Sequence, residues 1–578
     1  MEIGARPLPL NAAELDRDVD VLRAGADGWA RLDYAGKIGH LRAMRGRTVA
    51  AAQTWVDLAA GAKGIAGTPL AGEEWFSGPY ALLIALDRLI ATVTDVAERG
   101  TPSLPGAVRT RSDGQVVVDV FPLQPADRIL LNGVRAEVWM QPGVTRDALA
   151  SQTASTLKRR DAPGFVTLVL GAGNVASIAP LDVLTALYTH AGVVLLKLNP
   201  VNAYLEPIFR SIFASLIDDG FVRITAGDAQ TGAYLCGHAG IDAIHLTGGE
   251  RTHDAIAFGS GPDAAARKAA ARPLLDKQLT SELGNVTPVI LVPGPWSASD
   301  LAFQAANVAS MKLHNAGANC IAAQIVVTPA AWEETPRFVN GLREALRSAP
   351  PRPSYYPGSK ERQTEIALGH ATAETLAAPD GGDPRTFIPE LDPSNVKEPL
   401  FLHEAFGPVL GQTSLPGADA AAFLRNAVAF CNDVLHGTLG ASILIHPRTI
   451  VELGPAFDAA IAALRYGSVT INTWPGVGYL LPAASWGAYP GNTLANAGSG
   501  IGCVHNTFLF DRPQKTLLYA PFTPFPRSML DGERTLLPLP PWFVTHRRAD
   551  VVGRRMFAFA ANPSAARMAA TVIAAMRS

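Results

Sequence analysis

The chain has 578 residues, of which 48% are hydrophobic and 17% are charged, and its formal net charge is −2. A single core rarely serves so long a chain, so the sequence predicts two or more domains that bury a large apolar core. This composition excludes disorder as the general state. The balanced charge gives no reason to expect binding to nucleic acid or to acidic membranes.

The cysteines and the N-terminus indicate the compartment. Cys236, Cys320, Cys431 and Cys503 lie far apart and form no CxxC pair, so neither a disulfide framework nor a metal site is predicted. The N-terminus lacks the basic start and apolar segment of a signal peptide. No run approaches the ~18 uninterrupted apolar residues of a membrane span. We therefore predict a cytoplasmic protein without a membrane span.

The first 160 residues are predicted to contain helices and one hairpin. Apolar residues recur at helical spacing from residue 12 to residue 100, which is typical of helices that pack on a larger body. From Gly114 to Met140 two β-rich runs flank Pro125-Ala126-Asp127, which predicts a hairpin. Residues 143 to 160 are predicted to form an exposed helix.

The next segment predicts a βαβ unit. "GFVTLVLGAGNVASIAP" supplies a strand and a Gly-rich turn, and "GVVLLKLNPVNAY" supplies the second strand after a helix. Strand and helix alternate to about Leu246 and again from Ala330 to Ala463, so the fold class is α/β with parallel sheets. The tail from Gly491 is rich in proline between Pro521 and Pro541. Its apolar stretches are predicted to pack on the body or on a neighbouring subunit.

The Gly-rich turn resembles a phosphate cradle but lacks one part of it. Residues 171–176, "GAGNVA", fit the dinucleotide fingerprint GxGxxA. That fingerprint expects an acidic residue at the end of the second strand. The chain has Lys197 there, with no Asp or Glu from Val183 to Asn199. A plain dinucleotide-binding module and an ordinary structural turn both remain open at this point.

A cysteine and a glutamate form the strongest catalytic candidates. The small-residue run "NAGAN" leads to Cys320, and the apolar run Ile321 to Val327 after it predicts a buried strand. Glu282 lies upstream in "SELGN". A thiol held on a tight loop near a carboxylate suggests a nucleophile with a general base. The alternative is an inert buried cysteine, which is the commoner state of this residue.

Together, "ELG" at Glu282, "NAGANC" at Cys320 and "EAFGPV" at 404–409 resemble the signature segments of the aldehyde dehydrogenase superfamily. The resemblance covers roughly residues 20 to 490. It departs from the family pattern at Asn285, Val286 and Ala318. It implies an aldehyde dehydrogenase-like α/β fold with two Rossmann-like parallel-sheet domains and a hairpin that bridges subunits.

The resemblance also implies roles for particular residues. Cys320 would be the nucleophile, Glu282 the general base and Asn174 the oxyanion donor. NAD or NADP would be the cofactor, and Pro200, where the family often has Glu, leaves the choice between them open. The residues implied to bind it are Lys197, Asn199, Gly227, Gly232, Thr247, Gly248, Gly249, Glu404 and Phe406. Those implied to line the substrate channel, or else to belong to the core, are Asn472, Trp474 and Trp486.

The predicted organisation follows from these motifs. Residues 1–113 and 147–282 form the NAD(P)-binding domain, 114–146 the bridging hairpin region, 283–485 the catalytic domain, and 486–578 a C-terminal extension that is a candidate for oligomerisation. The predicted activity is oxidation of a small-molecule aldehyde to a carboxylic acid through a cysteine thioester, by a homo-oligomer (dimer or tetramer). An acyl-CoA or acyl-thioester reductase and a non-catalytic dinucleotide-binding relative are the alternatives.

Overall fold

The structure is a computed structural model that describes residues 10–159 and 161–577. Residues 1–9, which belong to the predicted first domain and to the N-terminus judged to lack a signal peptide, lie outside the described residues. No helix in the described part of the chain is both long enough and apolar enough to cross a membrane.

Within these ranges the α-helices are α1 (Ala12–Arg31), α2 (Tyr34–Ala62), α3 (Ala71–Trp75), α4 (Ala81–Arg99), α5 (Asp127–Leu130), α6 (Ser155–Lys158), α7 (Ile178–Leu184), α8 (Glu206–Ile212), α9 (Ala214–Asp218), α10 (Ala229–Gly237), α11 (Glu250–Phe258), α12 (Ala264–Ala269), α13 (Ala298–Leu313), α14 (Thr335–Ser348), α15 (Ser359–Leu368), α16 (Pro399–Leu402), α17 (Ala420–Asp433), α18 (Pro447–Leu453), α19 (Pro455–Ala463), α20 (Pro475–Tyr479), α21 (Ala549–Ala561) and α22 (Ala565–Ala575). Short π-helices lie at Phe76–Tyr80 and Thr185–Thr189, and 3₁₀ turns lie at Pro200–Leu205, His314–Gly317, Pro379–Gly381 and Arg527–Met529.

The strands of the same ranges are β1 (Val108–Thr110), β2 (Val116–Phe121), β3 (Arg135–Met140), β4 (Val166–Leu170), β5 (Val193–Lys197), β6 (Val222–Thr225), β7 (Ala243–Gly248), β8 (Gln278–Leu283), β9 (Thr287–Leu291), β10 (Ala323–Pro329), β11 (Glu374–Leu376), β12 (Arg385–Leu391), β13 (Val409–Leu415), β14 (Gly440–Leu444), β15 (Ser468–Ile471), β16 (Gly500–Ile501) and β17 (Pro513–Tyr519).

The helices predicted for residues 12–100 are present and pack as expected. The side chains of Asn11 and Asp33 accept backbone hydrogen bonds at the starts of α1 and α2, which is a preferred way to begin a helix. Trp29 and Trp55 are completely buried on the inner faces of these helices. The ring of Trp29 meets the edge of the Tyr188 ring at a centroid distance of 5.4 Å. The helices therefore cover one face of the sheet that contains β4 and β5.

The prediction of a helix over residues 143–160 is wrong, except for the four residues of α6. Ala154, just before α6, has a positive φ of 55°, which ordinary helix residues do not adopt. Thr153 forms an antiparallel bridge with Phe510 of the tail. A tertiary contact with a distant segment has overridden the local helical preference.

The first sheet has six strands among the described residues, in the order β16-β8-β7-β4-β5-β6. β4 pairs in parallel with β5 on one side and with β7 on the other, so the predicted βαβ unit is confirmed. The turns after these strands share one edge of the sheet, which is where ligands bind in open α/β sheets.

The second sheet has eleven strands among the described residues, in the order β1-β2-β3-β17-β15-β14-β9-β10-β13-β12-β11. β2 and β3 form the predicted antiparallel hairpin. β17 comes from the C-terminal extension and pairs in parallel with β15 and antiparallel with β3, so it joins the hairpin to the parallel strands of its own chain. The predicted α/β fold with two parallel-rich sheets and a hairpin is confirmed. The predicted domain boundaries and the bridging of subunits stay predictions.

The rest of the extension packs on the body of the same chain. A Cβ added to Gly72 of α3 would lie 2.4 Å from the backbone of Ala549, so α3 and α21 approach too closely for any larger residue. Trp75 of α3 contacts Phe557 of α21 at a centroid distance of 5.4 Å. Arg527 binds the buried carboxylate of Asp300 at 2.6 Å. The tail thus packs on the body of its own chain, as the sequence predicts, although Leu536 in one of its apolar stretches is 61% exposed.

Candidate active site

The loop that carries Cys320 is held in an unusual backbone conformation. It follows α13 and leads into β10, and Asn315 and Ala316 have positive φ angles of 54° and 55°. A Cβ added to Gly317 would lie 2.4 Å from the carbonyl oxygen of Gly407. Positive φ in non-glycine residues is costly and persists where the surroundings fix it, often at functional sites. The loop therefore holds the thiol in one defined position.

Glu282 lies directly beside the thiol. It is in β8, only 2% exposed, and Sγ of Cys320 donates a hydrogen bond to its Oε1 at 3.3 Å. Burial, followed by the charges of Glu282 and Glu404, raises the pKa of the Cys320 thiol well above its usual value of 9.0. Burial also raises the pKa of Glu282. A carboxylate in this position can accept the proton of the thiol.

Asn174 reaches the same loop from the other sheet. It lies in the turn after β4, is 6% exposed, and its Nδ2 donates to the carbonyl oxygen of Ala318 at 3.0 Å. A side-chain amide has two N–H groups, so this bond leaves a second one for another acceptor. The structure thus brings Asn174, Cys320 and Glu282 to one place, as the sequence predicts for the catalytic residues.

A buried lysine, which the sequence analysis missed, links these parts. Nζ of Lys63 donates to Glu74 at 2.7 Å, to Oδ1 of Asn315 at 2.9 Å and to the carbonyl oxygen of Asn174 at 3.2 Å. The hydroxyl of Tyr355 donates to the same Asn174 oxygen at 2.8 Å. Lys63 and Glu74 are 3% and 1% exposed. One ammonium group therefore holds both the nucleophile loop and the Asn174 turn.

A second buried ion pair, which the sequence analysis also missed, supports the start of the loop. Oε2 of Glu73 accepts the backbone N–H of Asn315 at 2.7 Å. Its other oxygen binds the guanidinium of Arg352 at 2.9 Å. Burial lowers the pKa of His314, which begins the loop. Neighbouring carboxylates at positions 73 and 74 are the only sequence signal for this network.

Most of the predicted cofactor residues surround a single large cleft. The cleft has a volume of about 1480 Å³ and lies at the edge of the six-stranded sheet. The predicted residues that line it are Lys197, Asn199, Gly232, Thr247, Gly248 and Gly249. Burial lowers the pKa of Lys197 to about 8. The nine-residue helix α11 begins at Glu250, directly after Gly249, and the free N–H groups of such a start favour phosphate.

Two of the predicted cofactor residues have a structural role here. The side chain of Asn199 accepts from the backbone N–H of Val201 at 3.0 Å and caps the turn after β5. Gly227 does not line the cleft, but a Cβ there would lie 2.4 Å from Oγ1 of Thr231. Its φ of 151° also favours glycine. Gly227 thus permits the tight entry into α10, one wall of the cleft.

Glu404 and Phe406 lie between the cleft and the thiol. Tyr356 lines the cleft, and its ring meets that of Phe406 at 4.9 Å. Burial raises the pKa of Glu404 to about 8 and lowers that of the neighbouring Lys312 to about 7. Oε1 of Glu404 is buried and has no hydrogen-bond partner among the described residues. A Cβ at Gly284 would lie 2.0 Å from Oε2 of Glu404, which explains the glycine in "ELG".

A buried acid with two histidines lies next to Glu282. Asp182 accepts the hydroxyl of Thr247 at 2.8 Å. Its Oδ1 lies 3.6 Å from His245 and 3.7 Å from His505. Despite burial, these histidines lower the pKa of Asp182 to about 2, and His505 also acts to lower the pKa of Glu282. His505 could not be identified from the sequence, because it belongs to the extension beyond the recognised motifs.

The three residues assigned either to the substrate channel or to the core differ in position. Nε1 of Trp474 donates to the carbonyl oxygen of Ile321 at 2.8 Å, and Trp474 and Asn472 line an apolar cavity. Trp486 is 1% exposed and belongs to the core.

Comparison with known proteins finds one matching family model and solved structures with a similar fold. The aldehyde dehydrogenase family model matches residues 147–359. Aldehyde dehydrogenase 21 from Physcomitrella patens, solved in complex with the reaction product succinate, is 14% identical, with 88% of this chain and 90% of that chain covered and a TM-score of 0.57. Aldehyde dehydrogenase C from Pseudomonas syringae, solved as a mutant with NAD+ and octanal, is 17% identical, with 89% and 90% covered and a TM-score of 0.55. Lactaldehyde dehydrogenase from Escherichia coli is 16% identical, with 88% and 91% covered and a TM-score of 0.54. No curated protein matches the sequence significantly.

Proposed function

We propose, since the chain belongs to the aldehyde dehydrogenase superfamily, that it oxidises an aldehyde to a carboxylic acid through a covalent intermediate on Cys320. Aldehyde oxidation with NAD or NADP is the general activity of this superfamily. The observation that carries the assignment to these residues is the hydrogen bond of 3.3 Å from the thiol to Glu282. It couples a nucleophile to a buried base within a loop that Asn174 also contacts.

The first step is attack on the aldehyde. Glu282 takes the proton of the Cys320 thiol, and the thiolate sulfur forms a bond to the carbonyl carbon. The free N–H of the Asn174 amide donates to the oxygen that becomes negative. A donor of this kind contributes about 3–4 kcal/mol to the transition state.

The second step releases the acid. A nicotinamide cofactor, which Lys197 and the start of α11 would hold in the cleft, would supply the hydride acceptor. Loss of hydride from the carbon bonded to Cys320 leaves a thioester on that residue. Glu282 releases the proton of the thiol to solvent and then removes a proton from water, and the resulting hydroxide attacks the thioester carbon. The C–S bond breaks, the thiol is restored and the carboxylic acid leaves.

The residues at the cleft fit such a cofactor. Lys197 supplies a cation for ribose hydroxyls, and the start of α11 supplies N–H groups for a pyrophosphate. The unpartnered Oε1 of Glu404 supplies an acceptor at the catalytic end of the cleft. The choice between NAD and NADP, cytoplasmic location and homo-oligomeric assembly stay predictions from the sequence.

The Glu282→Gln variant tests the proposal. Reduction of the cofactor precedes hydrolysis of the thioester, so the variant should give a burst of about one NAD(P)H per site and then stall. Because burial raises the pKa of the Cys320 thiol, raising the pH above ~9 should speed a burst that is slowed by loss of the thiol's base. Continued turnover of Glu282→Gln at the wild-type rate would refute the role of Glu282. Turnover of the wild type only in the presence of CoA would favour the acyl-thioester reductase instead.

A further inference from the structure

A second cavity lies beside His314, the residue at the start of the nucleophile loop. Its volume is about 310 Å³, at the lower end of volumes that hold small ligands. His314 and Trp474 line its inner end. The ring of His314 lies 4.8 Å from that of Trp474, and Trp474 binds the carbonyl oxygen of Ile321, the residue after Cys320. One end of the cavity is therefore lined by His314, which begins the thiol loop, and by Trp474, which is bonded to the residue after Cys320.

The outer walls of this cavity come from the C-terminal extension. Leu537 and Trp542 line it from the proline-rich segment, and Val552 and Val572 line it from α21 and α22. Phe76 lines it from the body of the protein. Residues beyond the recognised family motifs thus form a large part of the lining of this cavity.

Some polar groups of this cavity are used within the protein, whereas Oδ1 of Asn307 and Nε1 of Trp542 have no hydrogen-bond partner among the described residues. Glu73 is paired with Arg352. The Asn472 side chain accepts a hydrogen bond from the backbone N–H of Ile445 at 2.8 Å and donates one to the carbonyl oxygen of Ile445 at 3.0 Å. What the cavity offers to a ligand is therefore chiefly apolar surface, which favours an apolar chain over a sugar or a charged group.

We propose that the extension forms the outer wall of a binding site for the hydrocarbon chain of an unbranched aliphatic aldehyde, and that this wall sets the preferred chain length. The inference rests on the proposed function, because it places the aldehyde carbon at Cys320 and the chain in the cavity. The extension is fixed firmly enough for this role. β17 is paired on both sides in the sheet, and Arg527 is bound to Asp300.

The test measures kcat/KM for linear aldehydes from propanal to dodecanal. Each CH₂ group that enters the cavity should raise kcat/KM by about fourfold until the cavity is full. Val572→Trp, which fills the outer end, should lower kcat/KM for decanal by about tenfold or more while leaving propanal within about twofold, because it excludes at least two CH₂ groups. Ile573→Trp is the matched control, since Ile573 is 49% exposed on the same helix, and it should keep the wild-type profile.

A second variant and a binding measurement complete the test. Val572→Ala should shift the preferred aldehyde to a longer chain. This variant keeps the inference testable if Val572→Trp does not fold. Calorimetry with decanoate should give weaker binding to Val572→Trp than to Ile573→Trp. The same length profile in wild type, Val572→Trp and Val572→Ala would overturn the inference. If no aldehyde of any length is oxidised, the proposed function fails, and decanoate binding still decides whether the cavity holds an apolar chain.

Discussion

Replacing Lys63 by methionine should lower both the stability of the fold and the activity. Comparison with a double variant separates these two effects. Lys63 is 3% exposed and its partner Glu74 is 1% exposed. The change keeps the length of the side chain and removes the charge, so Glu74 is left as a buried carboxylate without its cation. Removing one partner of a buried ion pair typically costs about 3–5 kcal/mol. We expect a loss of this size in the free energy of unfolding.

The double variant Lys63→Met/Glu74→Gln should recover most of that stability, because no uncompensated charge remains. It should not recover activity. The bonds from Lys63 to Asn315 and to Asn174 are still missing, and a displacement of about 1 Å at a catalytic group can lower kcat by about 100-fold.

Urea titration gives the stability of each variant, and steady-state kinetics gives kcat. Arg343→Met is the control, because the pair of Arg343 with Glu374 is 27% and 32% exposed and such pairs contribute about 0–1 kcal/mol. A loss in Lys63→Met no larger than in Arg343→Met would refute the energetic argument. Wild-type kcat in the double variant would show that Lys63 stabilises the fold without holding the catalytic loop.

Three further outcomes follow from the site. Because the pKa of the Cys320 thiol is raised, its alkylation by iodoacetamide should still accelerate above pH ~9. Glu404→Gln removes a nearby negative charge and should move this pH dependence of alkylation to lower pH. A wild-type alkylation rate that is already constant at neutral pH would contradict the raised pKa. Asn174→Ala should lower kcat by about 100- to 1000-fold with unchanged cofactor affinity, and lost cofactor binding with intact kcat would assign the turn to the phosphates instead. Deleting residues 520–578 should cause aggregation because it uncovers apolar surface, so a soluble and fully active truncation would show that the tail is dispensable.

The parts of the fold that the sequence predicted are those set by local pattern. The apolar runs of β4 and β5 with a Gly-rich turn between them specify a βαβ unit. Asn174, Cys320 and Glu282 could be placed together because the short segments that contain them resemble, in the same order, segments of the aldehyde dehydrogenase superfamily. Gly284 and Gly317 in these motifs have clear physical reasons, since a side chain at either position would collide with a neighbouring segment.

The parts that could not be predicted depend on contacts between distant residues. Lys63 lies in a helical region where a lysine is normally solvated, and its bond to Asn315 joins residues 252 positions apart. β17 lies in a tail with no recognised motif, and its place between β3 and β15 is decided by edges that become available only in the folded sheet. Periodicity describes one element at a time, so it cannot indicate which distant element will cover it.

In the proposed mechanism, the raised pKa values at the site would allow one carboxylate, Glu282, to serve both steps of the reaction. Burial raises the pKa of Glu282, and a carboxylate with a raised pKa is a better proton acceptor when ionised. The same burial, together with the charges of Glu282 and Glu404, keeps the proton on the Cys320 thiol. A thiolate between two ionised carboxylates would be disfavoured. When the proton passes from Cys320 to Glu282, these two residues together carry only one negative charge. Nucleophilic attack and proton transfer are therefore coupled, and the neutral Glu282 must lose its proton before it can activate water.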